Sequence, residues 1–361
     1  MTRFLDDILR QPEELNRALD HLLGPGRSRL QEATERIRRA GTVYLTGIGS
    51  SWHAGLCAAS LFSAGARPVC LQDAADVAHF SKLQRESVLI VLSRSGKSIE
   101  IVSLLEKARE AGAFVVAITN AEDSPLALAA QVPVIVPVTF DNAISVNTYS
   151  TIALAAGLLA QATVSSLDEK LTAALARAIR ELPGYIESWQ KRIAKSRWLL
   201  PNATHYFLAR GSSLGSCHES CLLWEEGVKF PATAMGTSSF RHGPQEMLRE
   251  GMRVGIWMDP LRMREEDFAL ARDLRRLRAS VMLIGQNLPD DAAELVLQLP
   301  EIPALWQFLI DIVPAQLAAE QLARRAGSDP DSFRYCSYIV EDEGGLLKQD
   351  SKSPSGQTVS H

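Results

Sequence analysis

The sequence predicts an α/β fold of two tandem, doubly wound parallel-sheet domains related by internal duplication. Three observations carry this prediction. First, Thr42-Val43-Tyr44-Leu45-Thr46-Gly47-Ile48-Gly49-Ser50-Ser51 recurs as Thr204-His205-Tyr206-Phe207-Leu208-Ala209-Arg210-Gly211-Ser212-Ser213, at an offset of 162 residues (204 − 42). Second, later apolar runs recur at a slightly larger offset, Val88–Leu92 with Val254–Met258 and Phe114–Thr119 with Ser280–Gly285. Third, short β-branched runs alternate with longer amphipathic segments within each copy. That is the pattern of a parallel sheet covered by helices on both faces. A repeat this long is a duplicated domain rather than a solenoid unit.

The elements follow in order. Residues 1–30 read as an N-terminal helical segment; Asp6 and Asp7 inside its amphipathic start do not fit a signal peptide. The first domain occupies 31–165, with strands near 42–47, 68–71, 87–92, 113–119 and 132–137. Its helices lie near 51–65, 97–111 and 147–163. Residues 166–198 are a charged amphipathic pattern with Pro183-Gly184 inside it, read as a helical connector. The second domain spans 199–340, its first strand leading into a helical pattern over Leu214–Glu226. From 341 to 361 the hydrophobic periodicity is lost, and a flexible tail is expected.

Composition removes several function classes. The 361 residues are 46% hydrophobic and 22% charged, ordinary for a globular protein of two domains. A net charge of -4 leaves no electrostatic footprint for nucleic acid, and no basic run marks a membrane surface. The longest apolar stretch, Ile152–Ala160, is too short to span a bilayer. The cysteines at 57, 70, 217, 221 and 336 form no disulfide framework, so a reducing, cytoplasmic setting is expected.

The most informative segment is Val91-Leu92-Ser93-Arg94-Ser95-Gly96-Lys97-Ser98. An apolar strand empties into hydroxyls, a glycine and two cations, and a helical pattern begins at Ile99. Free amides, the positive end of a helix dipole, hydroxyls and cations together suit a phosphate. An N-capped helix after an ordinary turn explains the same residues without a ligand. On a parallel sheet, ligands sit at the carboxyl ends of strands near the switch in strand order. Ser51, Ser93 and Asn147 all fall there.

The second copy lacks this loop, its third strand running into Asp259-Pro260. It carries Glu219, Glu225, Glu226 and Arg241-His242-Gly243-Pro244 instead. Glu219 and Glu226 are seven apart and share a helix face, whereas Glu225 is rotated by about 100° from Glu226. A carboxylate and an imidazole in one cleft suit proton transfer near neutral pH. A solvated acidic face and a surface histidine remain the alternative. Cys217, His218 and Cys221 on one helix do not supply tetrahedral ligands, so no metal is expected. Gly47-Ile48-Gly49-Ser50-Ser51 lacks the full dinucleotide fingerprint, and neither a Gly-x-Ser-x-Gly elbow nor a Ser–His–Asp order occurs.

Taken together, these motifs resemble those of the sugar isomerase (SIS) family, and in particular the isomerase half of the glutamine–fructose-6-phosphate aminotransferases. The similarity runs from about residue 8 to 341. Ile8-Leu9-Arg10-Gln11-Pro12-Glu13 resembles the family's Glu-Gln-Pro entry, and Gly49-Ser50-Ser51-Trp52-His53-Ala54-Gly55 its Gly-Thr-Ser-Tyr-His-Ala-Gly. Ser93–Ser98 resembles Ser-Gln-Ser-Gly-Glu-Thr, and Glu219, Glu226 and Arg241–Pro244 match in the second half.

The resemblance implies flavodoxin-like domains and specific roles. Ser51, Ser93, Ser95 and Ser98 match phosphate-binding hydroxyls, with the amides of Arg94, Ser95, Gly96 and Lys97 in the same loop. Val146 and Asn147 match a segment that contacts the sugar. Glu226 matches the acid/base between C1 and C2, His242 the ring-opening histidine, and Glu219 the carboxylate that orients it. In the family this histidine reaches in from the other subunit of a homodimer.

Departures from the family pattern matter equally. Thr2 and Arg3 follow Met1 where the aminotransferase has a catalytic cysteine on a glutaminase domain, so glutamine is not the expected ammonia source. Asp329-Pro330-Asp331-Ser332-Phe333-Arg334 matches a family segment, but the lysine that contacts the open-chain sugar falls on Tyr338. Lys348 and Lys352 would replace it only if the tail folds back, and a second family lysine is Leu223 here. Arg94 and Lys97 stand for Gln and Glu, which makes the pocket more cationic. The expected function is C1/C2 proton transfer on a hexose 6-phosphate or amino-sugar 6-phosphate. Deamination or deglycation is favoured over synthesis, with no metal or nucleotide cofactor. A simple phosphosugar isomerase and a non-catalytic sugar-phosphate-binding regulator are the alternatives; no helix-turn-helix segment supports a DNA-binding one.

Overall fold

The computed structural model describes residues 1–345; Lys348, Lys352 and the remainder of the expected tail lie outside the described residues. Two helices, α1 (Arg3–Leu23) and α2 (Arg27–Arg39), precede the first sheet. Then come β1 (Val43–Gly47), α3 (Ser50–Ala64), β2 (Cys70–Asp73), α4 (Ala74–His79), β3 (Val88–Ser93) and α5 (Ile99–Ala111). The half closes with β4 (Phe114–Thr119), α6 (Pro125–Ala129), β5 (Val132–Ile135) and α7 (Asn147–Val164). After α8 (Glu169–Lys195) the second half runs β6 (His205–Ala209), α9 (Leu214–Leu223), β7 (Ala232–Gly236), α10 (Thr237–Phe240) and β8 (Arg253–Trp257). It ends with α11 (Arg264–Arg276), β9 (Ser280–Gly285), β10 (Leu295–Gln298), α12 (Phe308–Asp311) and α13 (Val313–Ala326).

Both sheets are five-stranded and parallel, in the orders β2-β1-β3-β4-β5 and β7-β6-β8-β9-β10. In each, strand order reverses beside the first strand of the half, so a crevice opens there at the carboxyl ends. The strands read as continuous apolar runs because both faces are covered. In β3, Val88, Ile90 and Leu92 enter a central core, while Leu89 and Val91 meet Ile101 and Leu104 of α5 in an outer one. In β9, Met282 and Ile284 enter the same central core, and Val281 and Leu283 pack outward on Ala271 and Leu274 of α11.

The two inner sheet faces thus share one core, filled between them by α1, α3, α7, α8, α9 and α13. The helix expected as a connector is part of that core. Leu175, Ile179, Leu182, Ile186, Trp189 and Ile193 form a buried stripe on α8, and Pro183 lies inside the helix. Trp189 Nε1 donates to Gln298 O at 2.8 Å and Trp198 Nε1 to Ser280 O at 3.0 Å, which ties this helix and its exit to the second sheet.

The helix predicted to run unbroken from Leu214 to Glu226 changes at Trp224 into a wide π turn, Trp224–Val228, closed by Lys229 at φ 64°. Trp224 is fully buried, edge-on to Phe207 at 4.8 Å. The wide turn lets Trp224 and Val228 face the core while Glu226 between them faces the crevice between the halves. Such turns concentrate at functional sites.

Candidate active site

The loop after β3 is shaped by its own side chains. Gly96 N–H donates to Ser93 Oγ at 3.0 Å and Lys97 N–H to Ser95 Oγ at 3.3 Å, so two of the expected phosphate-binding amides are used internally. Gly96 sits at φ 60°, and a Cβ there would lie 2.3 Å from Ser124 Oγ. Only glycine fits that combination of backbone and contact. Ser98 caps α5 by position, yet its hydroxyl makes no capping bond and is left for the crevice.

Ser51, Ser93, Arg94, Ser95 and Ser98 line one cavity of about 210 Å³, together with Ser50, Ser145, Leu222, Glu226 and Tyr338. Two larger grooves, of about 670 and 720 Å³, lie along α2 and α8 and collect none of these residues. The cavity therefore unites the phosphate-loop hydroxyls of the first half with a carboxyl of the second. Of the two loop cations only Arg94 faces it. Lys97 is exposed, because the αL turn at Gly96 sends the next side chain outward.

Glu226 is the carboxyl in the cavity, and its pKa is pushed up to about 7. Burial is the main cause and the Glu219 charge adds to it; Arg94 and Lys229 pull the other way. Glu219 is fully buried, which removes the solvated-face alternative for it, whereas Glu225 is exposed. Glu219 accepts Ser50 Oγ–H at 3.0 Å, and its other oxygen is 2.7 Å from His53 Nδ1. The expected partner, His242, lies in an exposed turn after α10 and makes no side-chain hydrogen bond among the described residues. Within one chain, then, Glu219 orients His53 rather than His242. The Gly49–Gly55 segment contained His53, but only contacts between the halves give it a partner.

Val146 and Asn147 are fully buried and do not line the cavity. The Asp141 carboxylate accepts the N–H groups of Val146, Asn147 and Thr148, each at 2.9 Å, and caps α7. Asn147 Nδ2 donates to Asp7 O and to Asp141 Oδ1 at 2.9 Å. These bonds turn both residues inward, and Ala143 and Ser145 reach the cavity from this segment instead.

A C-terminal strap closes the site. Asp331 accepts the N–H groups of Arg3 and Phe4 at 2.8 Å, anchoring the strap to the start of α1. Lys229 Nζ holds Ser332 O at 2.8 Å. Arg94 donates to Tyr338 O at 2.9 Å and to Ser145 Oγ at 3.0 Å, its guanidinium 4.2 Å from the Tyr338 ring centre. Tyr338 OH reaches Asp141 O at 2.9 Å, and Ile99 N–H donates to Val340 O at 3.0 Å. The chain thus folds back over the phosphate loop before residue 341, and the residue where the family has lysine is a tyrosine stacked on Arg94.

Known proteins agree with this architecture. Residues 36–162 match the SIS domain family. The glutamine–fructose-6-phosphate aminotransferase (isomerizing) of Pyrobaculum aerophilum is 25% identical over 352 residues, 94% of this chain and 57% of that protein. The chain therefore spans a little over half the length of the curated relatives it matches. Among solved structures, the C-terminal domain of glucosamine-fructose-6-phosphate aminotransferase from Francisella tularensis has a TM-score of 0.80 at 17% identity, covering 91% of this chain and 97% of that one. Glucosamine-6-phosphate deaminase from Thermotoga maritima has a TM-score of 0.76 at 22% identity, covering 94% of this chain and 99% of that one. Both structures share the fold. The first half of the chain carries a SIS domain, and along its length the chain resembles the isomerase half of the aminotransferases.

Proposed function

We propose that this chain is an enzyme of hexose 6-phosphates or amino-sugar 6-phosphates, built from two duplicated, doubly wound SIS domains at 31–165 and 199–340. Its chemistry is proton transfer between C1 and C2. One observation carries the reading: a single small cavity holds the phosphate-loop hydroxyls, Arg94, and a carboxyl whose pKa is raised to about 7. A general base is most effective with a pKa near the working pH.

The phosphate is anchored by Ser51, Ser93, Ser95 and Ser98, with Arg94 supplying the countercharge. That anchor provides binding energy remote from the reacting carbons and fixes them against Glu226. With an open-chain 2-amino-2-deoxy aldose phosphate, Glu226 removes the C2 proton and the electron pair passes into an enolamine. Returning the proton to C1 leaves an imine at C2, and water hydrolyses it to a ketose phosphate and ammonia. This direction matches the name of the deaminase neighbour and runs opposite to that of the aminotransferase relatives; in it the amine arrives on the substrate. Ring opening is assigned to His242 of the partner subunit, in a cytoplasmic homodimer.

The test pairs binding with turnover. Thermal shifts are measured with hexose 6-phosphates, amino-sugar 6-phosphates and their unphosphorylated parents, then ammonia and ketose phosphate are assayed. Stabilisation by a phosphorylated sugar alone, with ammonia released at a rate that falls roughly 10²–10⁴-fold in Glu226→Gln, is the expected result. Ketose without ammonia would make the protein a simple isomerase. Stabilisation by no sugar phosphate would remove the reading.

A further inference from the structure

His53 has no role in the chemistry so far, yet its imidazole is paired with a buried carboxylate across the two halves. It sits one turn into α3, two residues after Ser51, which with Ser50 lines the cavity. Its Nδ1 is 2.7 Å from Glu219, a carboxylate with 1% side-chain exposure that also accepts Ser50 Oγ–H at 3.0 Å. The two donors come from the first half and the acceptor from the second, so the cluster clamps the halves together beside the reacting carboxyl. Both Glu219 oxygens are engaged, leaving the buried charge compensated within one chain.

We infer that His53 is a positioning residue of the proposed reaction: through its Nδ1–H bond it fixes the place of Glu219 beside the proton-transferring Glu226. The inference rests on the function proposed above. A buried carboxylate without its donor loses the contact that holds it in place and swings away. That change removes the negative neighbour that helps Glu226 hold its own proton. The donor bond and the proton affinity of Glu226 are then coupled through a single buried group.

The groups around the pair can be enumerated. Glu226 faces Glu219 of α9, Glu225 of its own π turn, Arg94 of the phosphate loop, Lys229, and the Cys336 thiol of the strap. His53 faces Glu219, Glu225 and His218, the two rings 5.8 Å apart. Burial and then His53 lower the His218 pKa to about 4, so His218 is uncharged near neutrality and does not compete for Glu219. Among the described residues, His53 and Ser50 are the side chains hydrogen-bonded to Glu219.

Five proteins decide the matter: wild type, His53→Ala, His53→Asn, which can retain an N–H near the Nδ1 position, Glu219→Gln, and the double variant of His53→Ala with Glu219→Gln. For each, kcat and KM for the sugar phosphate are followed across pH 5–9. In wild type, activity falls as pH drops through the Glu226 pKa. In Glu219→Gln that limb should move down by about one pH unit, the scale of a lost like-charge neighbour. His53→Ala should move it the same way and lower kcat about tenfold or more, with KM within about threefold because the phosphate loop is intact. His53→Asn should restore much of both. The double variant His53→Ala with Glu219→Gln should shift the limb no further than either alone. Identical pH profiles in wild type, His53→Ala and Glu219→Gln would overturn the inference, as would additive shifts.

A second readout needs no turnover. Proton–nitrogen correlation spectra of the imidazoles should show a retained His53 Nδ1–H in wild type that is lost in Glu219→Gln. Its presence together with failure of every sugar phosphate to react would sink the function and leave the clamp. Its absence would sink the clamp whatever the activity.

Discussion

Replacing Gly96 by alanine tests the phosphate loop more directly than removing any hydroxyl. At φ 60° the residue stands where an L side chain costs about 1–2 kcal/mol. The added Cβ would also lie 2.3 Å from Ser124 Oγ, 2.7 Å from its Cβ and 3.0 Å from Leu126 Cβ. Ser124 cannot yield freely. It is fully buried, donates to Ala121 O at 2.7 Å, and its hydroxyl caps α6 by accepting Ala127 N–H at 3.2 Å. Losing that cap costs about 1 kcal/mol, and overpacking a buried contact about 1–3 kcal/mol more. The penalty is therefore about 3–6 kcal/mol if the loop stays in place. For a cooperative unit of 361 residues that is a melting-temperature drop of about 4–8 °C. If the loop shifts instead, Ser93 loses the Gly96 N–H and the hydroxyls leave their common cavity. Affinity for a sugar phosphate would then fall about 10–100-fold, since hydrogen bonds to a charged group are worth about 1.5–3 kcal/mol each. Gly211→Ala is the control: it has φ 55° in the loop after β6, the counterpart of Gly49 and not of the phosphate loop, with nothing within 4 Å of its Cβ. It should show the backbone cost alone and no change in affinity. Calorimetric melting with titration of the sugar phosphate reads both quantities. A Gly96→Ala protein with wild-type melting and wild-type affinity would refute the geometry assigned to the loop.

Two further predictions turn on charge. Because Arg94 lowers the Glu226 pKa, Arg94→Gln should raise it, moving the acid limb of kcat/KM above about 7, opposite to the effect of Glu219→Gln. A limb that moves down, or stays, would show that Arg94 does not act on the reacting carboxyl. Asp311 offers a stability test away from the chemistry: fully buried and accepting Ser213 Oγ–H at 2.6 Å, its pKa is pushed up to about 7 by burial. The folded state thus binds this proton more tightly than the unfolded chain, where a carboxyl titrates near 3.9. Its contribution is complete below about pH 4 and is lost as pH rises through about 7, a swing on the order of a few kcal/mol. Asp311→Asn should melt with a flatter dependence on pH between 5 and 8 than wild type. An equally steep dependence would show that another group carries it.

How much of this was legible depends on where the determining contacts lie. The strands and principal helices were readable because a strand buried on both faces writes itself as an apolar run, as Val88–Leu92 does, and helix boundaries carry local signals such as Ser98 and Gly112. The depth of α8 was not readable. Its stripe from Leu175 to Ile193 shows an apolar face but not that two sheets converge on it, which is decided by Trp189 and Trp198 reaching the second sheet. The π turn at Trp224 escaped for a related reason: an aromatic residue claimed by Phe207 from another element overrides the helical period. The burial of Val146 and Asn147 away from the cavity was not readable, because their anchor, Asp141, caps a helix through three successive amides, a bond pattern with no unique sequence mark.

The candidate site divides along the same line. The hydroxyls of the loop were visible because one strand–loop–helix segment holds them. The acid/base centre was visible only as residue types, since its character comes from across the crevice: Glu226 lies in the second half, while Arg94 and the Ser93 loop belong to the first. Glu219 shows the limit most clearly. From its own helix it reads equally as a solvated carboxylate or a buried one, and what settles it is α3, more than 160 residues earlier, delivering Ser50 and His53 to its two oxygens. A fold of two parallel sheets places such residues together by the docking of its halves. The proposed chemistry therefore belongs to the seam, and the pattern of neither half contains it.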